Sequence, residues 1–183
     1  MRVVLASQSP RRLELLRRLG IEPTVSPAHI DETPINNEQP VAYVERLACA
    51  KAAAVAAHHS AAVVIAADTT IDIDGGILGQ PLDSNDARRM LKSLSGRTHR
   101  VHTGVAVYSA DRGMNSVVVT SLVSIVPMTD HLLEWYIGTG EYVGKAGAYA
   151  VQGAGGVLVS RVQGSLSNVV GLPLKETAQL LRR

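Results

Sequence analysis

An α/β fold built on a mixed, twisted sheet is what this sequence predicts, and three observations carry it. Stretches with apolar residues every three or four positions alternate along the chain with short β-branched runs. Asp74-Gly75-Gly76 sits between two such runs as a hairpin turn, and two long strand-like segments lie further on, so antiparallel pairs join the sheet. The 183 residues are 46% hydrophobic and 19% charged, which suits one packed core and one domain spanning 1–183.

Each element follows from local signals. Residues 2–6 read as a short buried strand. A turn at 7–10 leads into a helix with a Leu13, Leu16, Leu19 stripe that ends at Gly20. Pro23, Pro27 and Pro34 make 21–37 irregular. A second helix is expected over 40–59, with Pro40 in its first turn and Val41, Val44, Leu47, Ala48 and Val55 on one side. Residues 62–67 form the clearest central strand, ending at Asp68, and 70–73 and 77–78 flank the hairpin turn. A third helix, 85–94, is capped by Ser84 or Asn85 and stopped at Gly96. Long strands over 100–108 and 117–126 are joined through the polar segment 109–115. Thr129 then caps a short helix through Ile137. Glycine dominates 138–171, with a strand-like run at 157–159, and Pro173 opens a last helix to Arg182.

Composition narrows the function classes. No Phe, one Trp and five Tyr leave few rings for stacking single-stranded nucleic acid. A net charge of +2 is too slight to imply a nucleic-acid partner. No run approaches the roughly 18 apolar residues of a membrane span, and the N-terminus lacks a signal-peptide pattern. Cys49, the single cysteine, has no internal disulfide partner, so a reducing, cytoplasmic setting is expected. It reads as a small apolar residue on a helix. His58 and His59 should diverge as helix neighbours and His99 and His102 should face opposite ways on a strand, so zinc is not expected.

Four places invite chemistry. In Ser7-Gln8-Ser9-Pro10-Arg11-Arg12, a loop enters a helix N-terminus whose first N–H groups lack intrahelical partners, with Ser9 as N-cap. Cations there oppose the helix dipole by about 0.3–1 kcal/mol each, a placement that makes sense beside a phosphate. The two arginines diverge by about 100°, so one of them should face the ligand more fully. A solvated helix start is the alternative. Asp68 ends the apolar run at the edge where α/β sheets place ligand chemistry, ready to activate a water or bind a cation; a turn residue is the alternative. Thr69 beside it offers a hydroxyl of either polarity. Asp31 and Glu32 are adjacent hard oxygen ligands of the kind Mg²⁺ or Mn²⁺ takes, although acidic loop residues are common. Finally, 144–149 with Gln152-Gly153 and Gly155-Gly156 combines close-approach glycines with Lys145, either as a phosphate cradle or simply as tight turns. It has neither the spacing of a Walker A loop nor a GxGxxG fingerprint.

The ordered set resembles the Maf, or septum-formation, family of nucleotide pyrophosphatases. The matching segments are 5–12, Asp31-Glu32-Thr33-Pro34, Glu45-Arg46-Leu47-Ala48 with Lys51-Ala52, and Ala67-Asp68-Thr69. Further on come Leu94-Ser95-Gly96 with His99, Thr103-Gly104, 144–149, Gln152-Gly153 and Val170-Gly171-Leu172-Pro173. The resemblance implies two lobes around a central nucleotide cleft, in a fold related to inosine triphosphate pyrophosphatases. It also implies divalent-metal-dependent hydrolysis between the α and β phosphates, with Asp68 as general base. Ser7, Arg11, Arg12, Lys51 and Lys145 would hold phosphate, and Glu32 with Asp68 would approach the metal. The family often dimerises, so a homodimer is a further expectation.

Arg11, Thr69 and Gln152 resemble the dTTP/UTP branch; the 7-methyl-GTP branch, the alternative substrate, tends to have Trp, Gln and Glu there. A glutamine amide donates and accepts at once, as the N3–H and carbonyl of uracil or thymine require. Gln80 stands where the family commonly has lysine, and Ala50 where it has glutamate. These departures motivate a second class, a nucleotide-sensing division regulator with weak hydrolysis.

Overall fold

The computed structural model describes residues 2–182. Seven strands form one sheet. They are β1 (Val3–Leu5), β2 (Thr24–Val25), β3 (Val63–Ile73), β4 (Gly76–Leu78), β5 (Thr98–Ser109), β6 (Gly113–Ile125) and β7 (Val159–Gln163). The order is β2-β1-β3-β5-β6-β7, with β4 on β3. The first pairings, β2–β1 and β1–β3, are parallel and the remainder antiparallel, so the sheet is mixed. Six helices accompany it: α1 (Pro10–Arg18), α2 (Pro40–Ala56), α3 (Ser84–Leu94), α4 (Asp130–Gly138), α5 (Leu166–Val170) and α6 (Leu174–Arg182). Among the described residues, no helix is long and apolar enough to cross a membrane.

Alternation along the strands decides which helix packs where. Leu5, Ile65, Ala67, Val105 and Val107 pack with Leu15 and Leu16 of α1, Val170 of α5, Leu172, and Leu180 of α6. Their neighbours Val4, Ala6, Val64, Ala66 and Ala106 meet Ala48, Ala52, Val55 and Ala56 of α2 on the other face. The far ends of β3, β5 and β6 carry Ile71, Val101, Val123 and Ile125 into a second cluster with α3 and α4. The clusters against α1 and α2, on opposite faces of the sheet, make one lobe and the cluster with α3 and α4 the other, and β3 runs through both.

That continuity corrects the expected strand ending at Asp68. β1 pairs with Val63–Ile65 only, and β4 with Ile71–Ile73, while β5 follows the opposite edge from Val64 to Asp72. The β-branched residues Thr69, Thr70, Ile71 and Ile73 carry the strand on after its parallel neighbour leaves. Residues 66–70 therefore have no strand partner on one edge.

Other differences have local causes. α2 stops at Ala56, so His58 and His59 occupy the turn beyond it, where their N–H groups close onto Val55 and Ala56. Asp83, rather than Ser84 or Asn85, caps α3 by accepting from the N–H groups of Asn85 and Asp86. Residues 109–115 form a tight hairpin, because Ser109 already pairs with Gly113. Residues 153–158 are 3-10 turns, with the strand starting only at Val159. Ser9 is the N-cap of α1, but its side chain makes no capping hydrogen bond.

Candidate active site

A cleft of about 1180 Å³ opens against the unpartnered stretch of β3, between the 6–12 loop on one side and the 79–80 and 141–153 segments on the other. That is slightly above the roughly 300–1,000 Å³ usual for small-molecule sites. Ser7, Arg11, Arg12, Glu32, Lys51, Asp68, Thr69, Lys145 and Gln152 all line it.

The side of β3 facing α2 presents Asp68. Helix and strand approach closely here because residue 104 of β5, Asp68's partner across the ladder, is glycine. A Cβ at that position would stand 2.6 Å from the Val44 carbonyl carbon and 2.9 Å from the Glu45 nitrogen, both backbone atoms of α2. Two helical turns on, Lys51 Nζ donates to Asp68 Oδ1 at 2.7 Å and is 2.9 Å from Glu32 Oε1. Burial pushes the Asp68 carboxyl up from its ordinary value, against the opposing pull of Lys51 and Arg12.

Thr69, on the opposite face, meets Arg12. The Arg12 guanidinium donates to the Gly171 carbonyl at 2.9 Å, Ser7 Oγ at 3.2 Å and Thr69 Oγ1 at 3.1 Å. Those three contacts brace it between the two ends of the chain, and two of its five N–H donors remain. Arg11 is the freer cation, since its buried Nε has no protein partner. Burial lowers its pKa while Glu141 and Tyr136 raise it. Both arginines reach the cleft; the divergence along the helix separates a braced one from an open one.

Lys145 lies half-buried across the cleft and donates to the Val143 carbonyl at 3.0 Å. Burial and then Arg11 lower its pKa, opposed by Glu141. Gln152 is exposed on the rim. Gln80 also lines the cleft, whereas Ala50 does not. Asp31 departs from its expected pairing with Glu32: its Oδ1 accepts from the Thr33 N–H, and it is absent from the lining. A short Asx turn competes successfully for an exposed carboxylate.

Glu141 is a site residue that no motif in the sequence points to. Its carboxylate accepts from the N–H groups of Ala154 (3.0 Å) and Gly155 (2.7 Å) and from the Tyr136 hydroxyl (3.1 Å). It thereby shapes the glycine-rich wall. Gly153, at φ +74°, leaves the room that a Cβ would take from that carboxylate. The glycines, read as either a phosphate cradle or tight turns, were the signal available for this wall.

Glu32 and Asp68 converge on one point of positive charge, the Lys51 ammonium. A divalent ion that takes two carboxylates and completes its shell with water and phosphate suits such a pair. Among the described residues no three His, Cys, Asp or Glu side chains gather to hold a metal by themselves.

Comparison with known proteins finds relatives along the whole chain. A protein of Myxococcus xanthus (strain DK1622) named dTTP/UTP pyrophosphatase is 53% identical over 181 residues, covering 99% of this chain and 91% of its own. One of Anaeromyxobacter dehalogenans (strain 2CP-C), with the same name, is 51% identical over 185 residues, covering 100% and 93%. The solved nucleoside-triphosphatase / dITP/XTP pyrophosphatase of Mycobacterium abscessus superposes with a TM-score of 0.52 at 15% identity, covering 100% of this chain and 94% of its own. The Ham1 protein of Staphylococcus aureus gives 0.52 at 16%, covering 68% and 72%. At that identity the likeness concerns the fold alone: a mixed sheet with lobes on either side of a cleft. The profile of the Maf-like proteins matches residues 2–183, and with relatives this similar along its whole length, the chain belongs to the Maf family.

Proposed function

We propose that this chain is a nucleotide diphosphatase that hydrolyses dTTP and UTP to the nucleoside monophosphate and pyrophosphate. The observation that carries the reading is the gathering of one buried carboxylate, Asp68, with four cations, Arg11, Arg12, Lys51 and Lys145, around a single nucleotide-sized cleft. The names of the relatives at about half identity support the same substrates.

Phosphoryl transfer asks mainly for positioning and charge neutralisation. Arg11, with its unpartnered buried Nε, and the two remaining N–H groups of Arg12 are placed to meet phosphate oxygens. Lys145 faces them from the other wall. Asp68 takes the proton of the attacking water, a role that its raised pKa suits. Once phosphate enters, Lys51 has an alternative to its two carboxylates. Mg²⁺ or Mn²⁺ held by Glu32 and Asp68 would supply Lewis-acid stabilisation of phosphate charge. A cytoplasmic location belongs to this reading, in keeping with the lone Cys49.

The test is pyrophosphate release from dTTP, UTP, CTP, 7-methyl-GTP and ATP in Mg²⁺, Mn²⁺ or EDTA. Release from dTTP and UTP that EDTA abolishes is the expected result. Preference for 7-methyl-GTP would overturn the substrate assignment. Tight nucleotide binding without turnover would replace the enzyme with a sensor.

A further inference from the structure

Glu32 sits on a loop with no regular structure of its own. Between β2 and α2, residues 26–39 form neither helix nor strand, yet Ala28, His29, Ile30 and Glu32 line the cleft. A side chain on such a loop is aimed only as well as its backbone is held. Among the described residues, every hydrogen bond or ion pair that reaches 27–38 from outside the loop comes from α2, at Tyr43, Arg46 and Lys51. Lys51 meets the Glu32 carboxylate itself; the other two hold the chain that carries it.

The Tyr43 hydroxyl donates to the Glu32 carbonyl at 3.0 Å, and Arg46 Nη2 donates to the Thr33 carbonyl at 3.2 Å. Two successive carbonyls are thus fixed from helix positions that share one face. Arg46 is in turn aimed by Glu38, with Nε 2.6 Å from Oε1 and Nη2 2.7 Å from Oε2. A guanidinium is planar, so once that edge is committed to a carboxylate the second Nη2 hydrogen has one direction left, and it falls on Thr33. Arg46 Cζ also stands 5.6 Å from the centre of the Tyr43 ring, within cation–π range, so the two donors brace each other. Glu38 closes the far end of the loop by accepting from the Ile35 N–H at 2.9 Å. Neither Arg46 nor Glu38 lines the cleft, so whatever they contribute to the chemistry passes through the loop.

We infer that Arg46 and Tyr43 are positioning residues: they clamp the backbone at Glu32 and Thr33 so that the Glu32 carboxylate stays over Lys51 and Asp68. The inference rests on the pyrophosphatase reading above and deepens it. It gives Arg46, in the Glu45-Arg46-Leu47-Ala48 segment, a function that contact with the nucleotide does not supply. One helix then carries both the cation that the carboxylate meets and the device that keeps it there.

The experiment is a double-mutant cycle of Arg46→Gln and Glu32→Gln, read as kcat on UTP with thermal unfolding followed in parallel. On the wild-type background Arg46→Gln should lower kcat by roughly 10–100-fold. On the Glu32→Gln background it should cost no more than roughly twofold, because no carboxylate remains to be aimed. Equal losses on both backgrounds would overturn the inference and leave Arg46 a brace of the fold. Arg46→Lys keeps the charge but cannot fork Glu38 and reach Thr33 together, so it should lose as much as Arg46→Gln; full turnover in it would overturn the clamp. If Arg46→Gln does not fold, Tyr43→Phe, which removes only a hydroxyl, takes its place in the cycle with the same two outcomes. Mn²⁺ alone, titrated with protein and followed by the electron paramagnetic resonance of the free ion, gives a readout independent of turnover. Arg46→Gln should weaken Mn²⁺ binding by roughly tenfold, and not further once Glu32→Gln is present; undiminished binding in Arg46→Gln would overturn the inference. A wild type that is inactive on UTP yet shows this Mn²⁺ pattern defeats the pyrophosphatase reading and not the clamp, so the two failures are distinct.

Discussion

Replacing Gly104 with alanine tests whether the distance between α2 and the sheet sets the chemistry at Asp68. The new Cβ would lie 2.6 Å from the Val44 carbonyl carbon and 2.9 Å from the Glu45 nitrogen, where ordinary contact begins at 3.4 Å. Backbone cannot rotate aside as a side-chain tip does, so the helix must withdraw by about 1 Å. Overpacking of this kind costs roughly 1–3 kcal/mol. In a chain of this size that lowers Tm by about 2–12 °C. The same withdrawal carries Lys51 away from Asp68, stretching a 2.7 Å contact past hydrogen-bond length. A shift of about 1 Å at a catalytic group reduces turnover by roughly 100-fold. The assay is calorimetric Tm together with pyrophosphate release from UTP at a temperature where both proteins are folded. Gly138→Ala is the control, because a Cβ there meets nothing within 4 Å. An unchanged Tm would refute the clash. A lowered Tm with unchanged kcat would refute the link from helix position to site.

Asp68→Asn should fold and bind UTP but lose about 10²–10⁴-fold in kcat, read by steady-state kinetics and a binding titration; unaltered turnover removes Asp68 from the base role. Arg11→Ala should raise KM more than it lowers kcat, because a cation with an unpartnered Nε meets phosphate already in the ground state; a pure kcat loss would place that contact in the transition state alone. Gln80→Lys, on the cleft wall, should raise kcat/KM by roughly fivefold, since a charged donor outweighs a neutral one by about 1 kcal/mol. Burial pushes the His99 imidazole down to about 4 from 6.5. Its folded pKa is below the unfolded one, so the unfolded chain takes the proton first as pH falls. Stability is full above about 6.5 and declines by roughly 3 kcal/mol on the way to about 4. His99→Gln, which can still accept from Tyr149, should flatten Tm against pH over that window; an equally steep profile would show that other groups drive the acid loss.

How legible all this was in the sequence depended on the range of the forces involved. Helices α1, α2 and α4 announced themselves because Leu and Val recur at helical spacing and Pro10, Pro40 and Thr129 mark their starts. The fold class followed from the same patterns. Helix α5 did not, because Leu166–Val170 is too short for periodicity, and its place depends on the buried Asn168 making contacts far along the chain. Asp68 was conspicuous after its apolar run, yet a strand ending there and one passing through it look alike until the partner strands are known. The separate motifs of the candidate site were visible, but their meeting in one cleft was implied by the family resemblance alone, since contacts such as the Arg12 bridge from Ser7 to Gly171 exist only in the folded chain. Glu141 was hidden for the opposite reason: it works through neighbours that only the folded chain supplies.

The unbroken run of β3 through both lobes has a mechanical consequence. Jaws of a cleft usually swing on a loop, where backbone angles change freely. Here the member common to both jaws is an eleven-residue strand laced along one margin to β5. Its bare margin at 66–70 is the weakest place in that beam, so any closing of the jaws would have to twist it there. Asp68 and Thr69 stand on the segment that twists. A ligand bridging the walls would therefore alter the torsion of the very residues that handle it, and the grip on the nucleotide and the aim of its reactive groups would be adjusted in one motion.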